Sequence, residues 1–176
     1  MDFNDIAPYL DYGQNQFSVS LRHPYFMKRI EELKEEYSLD LNPPYQRDRI
    51  WTEAQKSKYV EHILRKGLGG RNIIVNYPDW NKNYEVGTME VVDGKQRLTT
   101  LIDFFEDKVE IFGYRFSEIT GSIPFNNQLT FYVTTFQERE WIYKLYLQIN
   151  ESGTPHTSEE LNKVRRLLED ERKQNK

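Results

Sequence analysis

The chain contains no cysteine, which removes disulfides, thiolate zinc sites and a cysteine nucleophile together. That absence fits a reducing compartment, and a cytoplasmic location is expected. No apolar run approaches the roughly 20 residues of a membrane-spanning helix. The first ten residues carry Asp2 and Asp5 where a secretory signal would carry basic side chains. A soluble chain with no membrane contact is therefore expected. Only three histidines occur, His23, His62 and His156, and none has metal-ligand spacing with another. A Walker-type glycine-rich loop, a Gly-x-Ser-x-Gly elbow and a Rossmann fingerprint are all missing, and the frameworks they build are excluded with them. Positive charge is not in excess either. The 24 Lys and Arg face 28 Asp and Glu, for a net charge of -4, the reverse of a protein that coats nucleic acid. Any DNA contact would have to come from a local basic patch.

What is present suits one globular domain. The 176 residues are 38% hydrophobic, with 12 Tyr and 10 Phe, enough to bury a core and too few for two full domains. No repeat or low-complexity stretch occurs. Residues 1–20 show no clear periodicity and read as an arm. After Pro24, the residues Phe26, Ile30, Leu33 and Tyr37 form one helical stripe. Asn42-Pro43-Pro44 forbids helix. Thr52 and Gln55 make a capping box for a second helix, with Val60, Ile63 and Leu64 on its inner face and Gly67, Gly69 and Gly70 at its end.

The run 72–77 is a β-branched strand, and 84–86 and 89–92 read as strands around Gly87. Asp93-Gly94 breaks the last of these. A helix follows, with Leu98, Leu101, Ile102 and Phe105 on one face. A hairpin is expected around Gly113, a strand over 129–133, and a helix over 136–149 capped by Thr134 or Thr135. Thr157 with Glu160 opens a last helix carrying Leu161, Val164, Leu167 and Leu168, and residues 171–176 are expected to fray. The pattern predicts an α+β fold with a small mixed β-sheet flanked by helices. The expected layout is an arm over 1–19, a core over 20–120 and a C-terminal helical extension over 121–176 of the same domain.

Three polar segments can carry chemistry. In Val91 to Leu101, a strand runs into Asp93-Gly94 and a helix starts beside it. Helix N-terminal amides and the helix dipole favour an anion there. Gly94 allows close approach, Arg97 can grip a phosphate with two parallel hydrogen bonds, and Lys95 adds a point charge. Gln96 can donate and accept, and Asp93 is the local acid that could hold Mg²⁺ or polarise water. The same residues also fit a plain strand–turn–helix corner, with Asp93 as N-cap and Lys95 and Arg97 in water. In Leu41 to Trp51, two prolines precede Tyr45, Gln46, Arg47 and Arg49. The two arginines would share a face of an extended stretch, so aromatics could stack on a base while Arg holds phosphate. A solvated loop anchored by Trp51 is the alternative. In Leu147 to Pro155, Asn150 and a Gly-Thr turn could close over a ligand or simply cap two helices. The Lys163, Arg165 and Arg166 cluster sits among acids on a helix and reads as a solvated face.

These segments occur together and in order. Pro44-Tyr45-Gln46-Arg47 with Trp51 comes first, then Val92-Asp93-Gly94-Lys95-Gln96-Arg97-Leu98-Thr99-Thr100-Leu101. Gln148-Ile149-Asn150 to Gly153-Thr154-Pro155 with Glu160-Leu161 follows. The set resembles the N-terminal domain of GmrSD-type proteins over about residues 20–165, a family itself similar to ParB nuclease-like and sulfiredoxin-like folds. The usual turn of that family is Asp-Gly-Gln-Gln-Arg, and Lys95 departs from it.

The resemblance implies nucleotide binding and NTP hydrolysis in a modification-dependent restriction system. It makes Asp93, Gln96 and Arg97 the expected catalytic residues. Gly94, Lys95, Arg97, Thr99, Tyr45, Gln46, Arg47 and Asn150 are the expected nucleotide and phosphate contacts, with Mg²⁺ at Asp93. Relatives carry a C-terminal HNH-type nuclease domain, for which a chain ending at Lys176 has no room, so DNA cleavage by this chain alone is not expected. The implied partners are a nucleoside triphosphate, DNA, and a separate nuclease or defence protein. A non-catalytic DNA-binding module and a protein-interaction or inhibitor module of the same fold are the rival readings. The nucleobase and the oligomeric state are left open.

Overall fold

The computed structural model describes residues 15–46, 51–80, 87–121, 127–151 and 158–174. Four strands form one mixed sheet in the order β1-β4-β2-β3. β1 (Asn15–Ser20) runs antiparallel to β4 (Gln128–Thr134), β4 lies parallel to β2 (Asn72–Asn76), and β2 is antiparallel to β3 (Glu90–Asp93). Helices α1 (Tyr25–Tyr37), α2 (Glu53–Leu64), α3 (Lys95–Phe105), α4 (Arg139–Glu151) and α5 (Ser158–Gln174) surround it. The expected α+β architecture with a small mixed sheet is what these elements make. No helix among the described residues is long and apolar enough to cross a membrane.

Strand alternation sorts the side chains into two cores, because successive residues of a strand face opposite sides. Ile73 and Val75 of β2, Val91 of β3, and Leu129, Phe131 and Val133 of β4 join the larger core. There they pack with Phe26, Ile30 and Leu33 of α1, Val60 and Ile63 of α2, and Leu98, Leu101 and Phe104 of α3. Ile74 and Val92 belong to the second core, under Ile142, Tyr143, Leu145 and Tyr146 of α4 and Val164 of α5. Helices thus cover both faces of the β2–β3 end of the sheet.

Several local expectations change in three dimensions. The aperiodic stretch up to residue 20 ends in β1, whose partner β4 is far along the chain. β4 was grouped with the extension beyond residue 120, but it sits between β1 and β2 in the sheet, so the core continues through Thr134. The glycines after α2 do not make its first left-handed turn; Lys66 does, at φ 60°. The hairpin around Gly113 reduces to a single bridge between Ile111 and Tyr114, with Phe112 and Gly113 both at positive φ. α5 continues through Gln174 where fraying was expected, and Arg172 pairs with Glu140 of α4 at 2.9 Å. The expected strand over 84–86 and the Gly153-Thr154-Pro155 turn lie outside the described residues.

Thr134 or Thr135 was expected to cap the next helix. Thr134 instead ends β4, and α4 begins only at Arg139. Asn76, 1% exposed, makes the connection. Its Oδ1 accepts from the Thr134 hydroxyl and from the Phe136 N–H, both at 2.9 Å. Its Nδ2 donates to the Phe136 carbonyl at 3.1 Å. One amide thus ties β2 to the turn that launches α4, and α4 supplies a wall of the cleft described below. Asn76→Ala is expected to cost about 2–3 kcal/mol, because it strands both backbone groups of Phe136. Urea denaturation should show a lowered midpoint with an unchanged slope.

Candidate functional site

The site begins where β3 ends. Asp93 pairs with Ile74 of β2, and the register shifts between Ile74 and Val75. Gly94 then turns the chain at φ 94° and is itself the N-cap of α3. A Cβ at this position would lie 2.6 Å from Ile73 Cδ1, 3.2 Å from the Asn72 carbonyl oxygen and 3.3 Å from Ile73 Cα. Both the dihedral and the contact therefore require glycine. Having no side chain, Gly94 leaves the first-turn amides of α3 without a side-chain cap. Asp93 is thus not the cap. Its Oδ2 is paired with Arg97 Nη2, one helical turn away.

Two glutamines bring the first polar segment to this corner. Gln46 is buried, and its Nε2 donates to the carbonyls of Val91 at 2.7 Å and Val92 at 2.9 Å. Gln96 Oε1 accepts from the Trp51 backbone N–H at 3.0 Å. Tyr45 was expected to line the wall but is 1% exposed. It packs edge-on against Tyr143 and Tyr146 of α4. Burial, and then the neighbouring Glu90, push its phenol well above the ordinary value. Held neutral, it donates to Glu90 Oε2 at 3.2 Å. Glu90 in turn meets Arg139 of α4 at 3.0 Å. Burial opposes the charge of Arg139, but its hydrogen bonds to Tyr143 and Glu90 outweigh it and leave its pKa raised. Tyr45, Glu90 and Arg139 therefore brace the wall from behind.

α2 forms the facing side. Its capping box is complete: Thr52 Oγ1 accepts from Gln55 N–H, and Gln55 Oε1 accepts from Thr52 N–H. Lys56 lies between Glu53 at 3.1 Å and Asp103 of α3 at 3.2 Å, which fixes α2 against α3. Tyr59 donates to the Gly70 carbonyl at 2.9 Å and meets Trp51 edge to face, ring centres 5.2 Å apart. Burial pushes the Tyr59 phenol up, against the opposing pull of Arg97 and Arg71.

Between these walls lies a cleft of about 630 Å³, within the range of small-molecule sites. Asp93, Gly94, Lys95, Gln96 and Arg97 line it with Gln46 and Trp51, with Gln55, Lys58 and Tyr59 of α2, and with Tyr146, Ile149 and Asn150 of α4. All three polar segments of the sequence thus meet in one cavity. Three cationic side chains (Lys58, Lys95 and Arg97) face one carboxylate, Asp93, among the described lining residues. The local charge is opposite in sign to that of the chain.

Not every expected residue reaches the cleft. Tyr45 stands behind it. Thr99 is absent from its lining, and its hydroxyl donates back to the carbonyls of Lys95 at 2.9 Å and Gln96 at 3.3 Å. Asn150 lines the cleft while its Nδ2 donates to the Tyr146 carbonyl at 2.7 Å. Arg47 and Arg49 lie outside the described residues. Among the described residues no three His, Cys, Asp or Glu side chains stand close enough to hold a metal.

Sequence reading missed Lys58, Tyr59, Tyr146 and Ile149, and took Gln55 only as half of a capping box. Their signal was periodic. Gln55, Lys58 and Tyr59, and again Tyr146, Ile149 and Asn150, stand at i, i+3 and i+4, one stripe on each helix.

A family model described as the GmrSD restriction endonuclease, N-terminal domain, matches residues 30–128. The matched span holds the Tyr45-Gln46-Arg47 and Asp93–Arg97 elements and stops short of the 148–155 segment. No curated protein and no solved structure matches the chain.

Gly94→Ala tests the corner directly. A left-handed residue with a Cβ costs about 1–2 kcal/mol, and crowding adds about 1–3 kcal/mol. Thermal denaturation of the variant should show a combined loss of about 2–5 kcal/mol. A variant as stable as wild type would mean that the strand-to-helix break is not as tight as described.

Proposed function

The chain belongs to the GmrSD restriction endonuclease N-terminal domain family, and from that premise we propose that its cleft binds a nucleoside triphosphate and hydrolyses it slowly as a regulatory step in or against DNA restriction. The observation that carries this reading is the convergence of three separated polar segments on one cationic cleft within an acidic chain. We also read the core as ParB/sulfiredoxin-like; the small mixed sheet, and the helix that starts directly after β3, support that reading.

In this proposal the first-turn amides of α3 and the side chains of Lys95 and Arg97 hold the phosphates. Arg97 must divide its donors between Asp93 and the ligand. A part-exposed ion pair one helical turn apart contributes about 0.3–1 kcal/mol. A charge-assisted bidentate contact to phosphate is stronger, so the exchange favours the ligand. Asp93, loosened from that pairing, orients the attacking water. The water adds to the terminal phosphorus as the bridging P–O bond breaks, giving a nucleoside diphosphate and inorganic phosphate. Lys95 and Arg97 stabilise the charge that gathers on the transferring and leaving oxygens.

The donor set fits a Mg²⁺ that arrives on the nucleotide, since Asp93 is a single carboxylate and phosphate oxygens commonly complete such a shell. When bound, that ion would neutralise phosphate charge. The partner coupled to this step is a nuclease or another defence protein.

Titration of ATP, GTP and CTP with Mg²⁺ by calorimetry tests the proposal. Wild type should bind at least one nucleotide, and Arg97→Ala should bind it roughly tenfold more weakly or worse, the loss expected for a charge-assisted hydrogen bond. In a thermal-shift assay a ligand at 100 times its Kd should add roughly 2.7 kcal/mol of stability. Equal weak binding by both proteins, with no stabilisation of wild type, would sink the proposal and leave an interaction module.

A further inference from the structure

The two edges of the sheet are finished differently. At β3 the outer edge is covered. Asp40 N–H donates to the Met89 carbonyl at 2.8 Å, Val91 N–H donates to the Asp40 carbonyl at 3.0 Å, and Gln46 takes up the carbonyls of Val91 and Val92. At the other end of the order, β1 has β4 on one side only. Leu21 N–H donates to the Asn127 carbonyl at 2.9 Å, one step beyond the Ser20–Gln128 pair. Backbone groups in an antiparallel pair alternate in direction. Asn15, Phe17 and Val19 therefore turn theirs toward β4, and Gln16, Ser18 and Ser20 turn theirs outward. Among the described residues no backbone group bonds to that outer side. Natural sheet edges are commonly blunted by a charge, a proline or a bulge. β1 reads Asn-Gln-Phe-Ser-Val-Ser, without charge or proline, and its register with β4 is unbroken from Asn15 to Ser20. The strand is also held straight, since Phe17 stacks on Phe131 and on Trp80.

We infer that this edge docks a second copy of the chain, β1 against β1, antiparallel about a two-fold axis at Ser18. The edge is self-complementary for that operation. Ser18 meets its own copy and Gln16 meets Ser20, and each such pair exchanges two backbone hydrogen bonds. A residue on the axis faces itself, so a charge there would repel its own copy; serine does not. On the other face the same register sets Phe17 against Val19, an aromatic beside a β-branched side chain, which is a favourable cross-strand pair. The two sheets then run on as one. The cleft is built at β3, the far end of each sheet from β1, so the pairing covers neither cleft. The inference is independent of what the cleft binds.

Sedimentation velocity over a concentration series tests the pairing. Wild type should pass from monomer to dimer as its concentration rises. Ser18→Asp and Ser18→Lys each set like charges against each other at the axis, and each should shift the equilibrium toward monomer several-fold. An equimolar mixture of the two should regain the dimer, with one copy of each. The Ser18 side chain is exposed and its backbone groups face away from β4, so circular dichroism and Tm of both variants should match wild type. Ser18→Pro removes the outward N–H, a change that an edge strand tolerates. Two hydrogen bonds are lost per dimer, and its Kd should rise roughly five- to hundredfold. A wild type that stays monomeric up to roughly millimolar concentration overturns the inference. So do charged variants that dimerise as wild type does, which would put the interface elsewhere, and a mixture no more dimeric than its components.

Discussion

A missing side chain at position 94 is the constraint on which the cleft depends. β3 lies against β2 closely enough that any Cβ there would press on the Asn72 carbonyl and on Ile73. The left-handed dihedral then lets the strand become a helix with no intervening loop. Because strand and helix are joined so abruptly, the α3 amides, Lys95 and Arg97 all arise beside the end of β3. A longer connection would place them on a mobile segment and lose that fixed geometry.

Two glutamines make that corner into a cleft. Gln46 and Gln96 look alike in the sequence, each a polar residue in a polar segment, but each spends an amide atom across the same 45-residue separation. Gln46 binds the carbonyls of Val91 and Val92 in β3, and Gln96 binds Trp51, just ahead of the Thr52 cap of α2. The first segment is thus held on both sides of its middle residues. This gives Gln96 a positioning role, whatever part it also has in chemistry. Behind them, Tyr45, Glu90 and Arg139 tie β3 to α4, and Asn76 fixes the turn from which α4 departs. On top of the apolar packing of α2 and α4, hydrogen bonds to backbone and part-buried ion pairs orient the walls. Such contacts fix direction more than they add stability.

The charge of the cleft runs against that of the acidic chain that holds it. Excess negative charge is spread over the exterior, while the cleft gathers Lys58, Lys95 and Arg97 around one carboxylate. The Asp93–Arg97 pair keeps the arginine in place without a ligand, and its modest strength keeps it exchangeable.

By itself the sequence determined the periodic and the local. The stripes of α1, α3 and α5, the capping box at Thr52, the β-branched run of β2 and the Asp-Gly break are all set by neighbours within a few residues, so spacing reveals them. The family was legible for the same reason, since its elements are contiguous runs. Tertiary structure alone decided what depends on distant partners. β1 has no strong pattern of its own and becomes a strand because β4 offers its edge. Thr134 gives up capping because Asn76 lies opposite it. Tyr45 leaves the site because α4 buries it, and Lys58 and Tyr59 enter because Lys56 and Asp103 hold α2 against α3. Spacing along a chain reports which face of an element a residue occupies; only the packing of that element settles what the face meets.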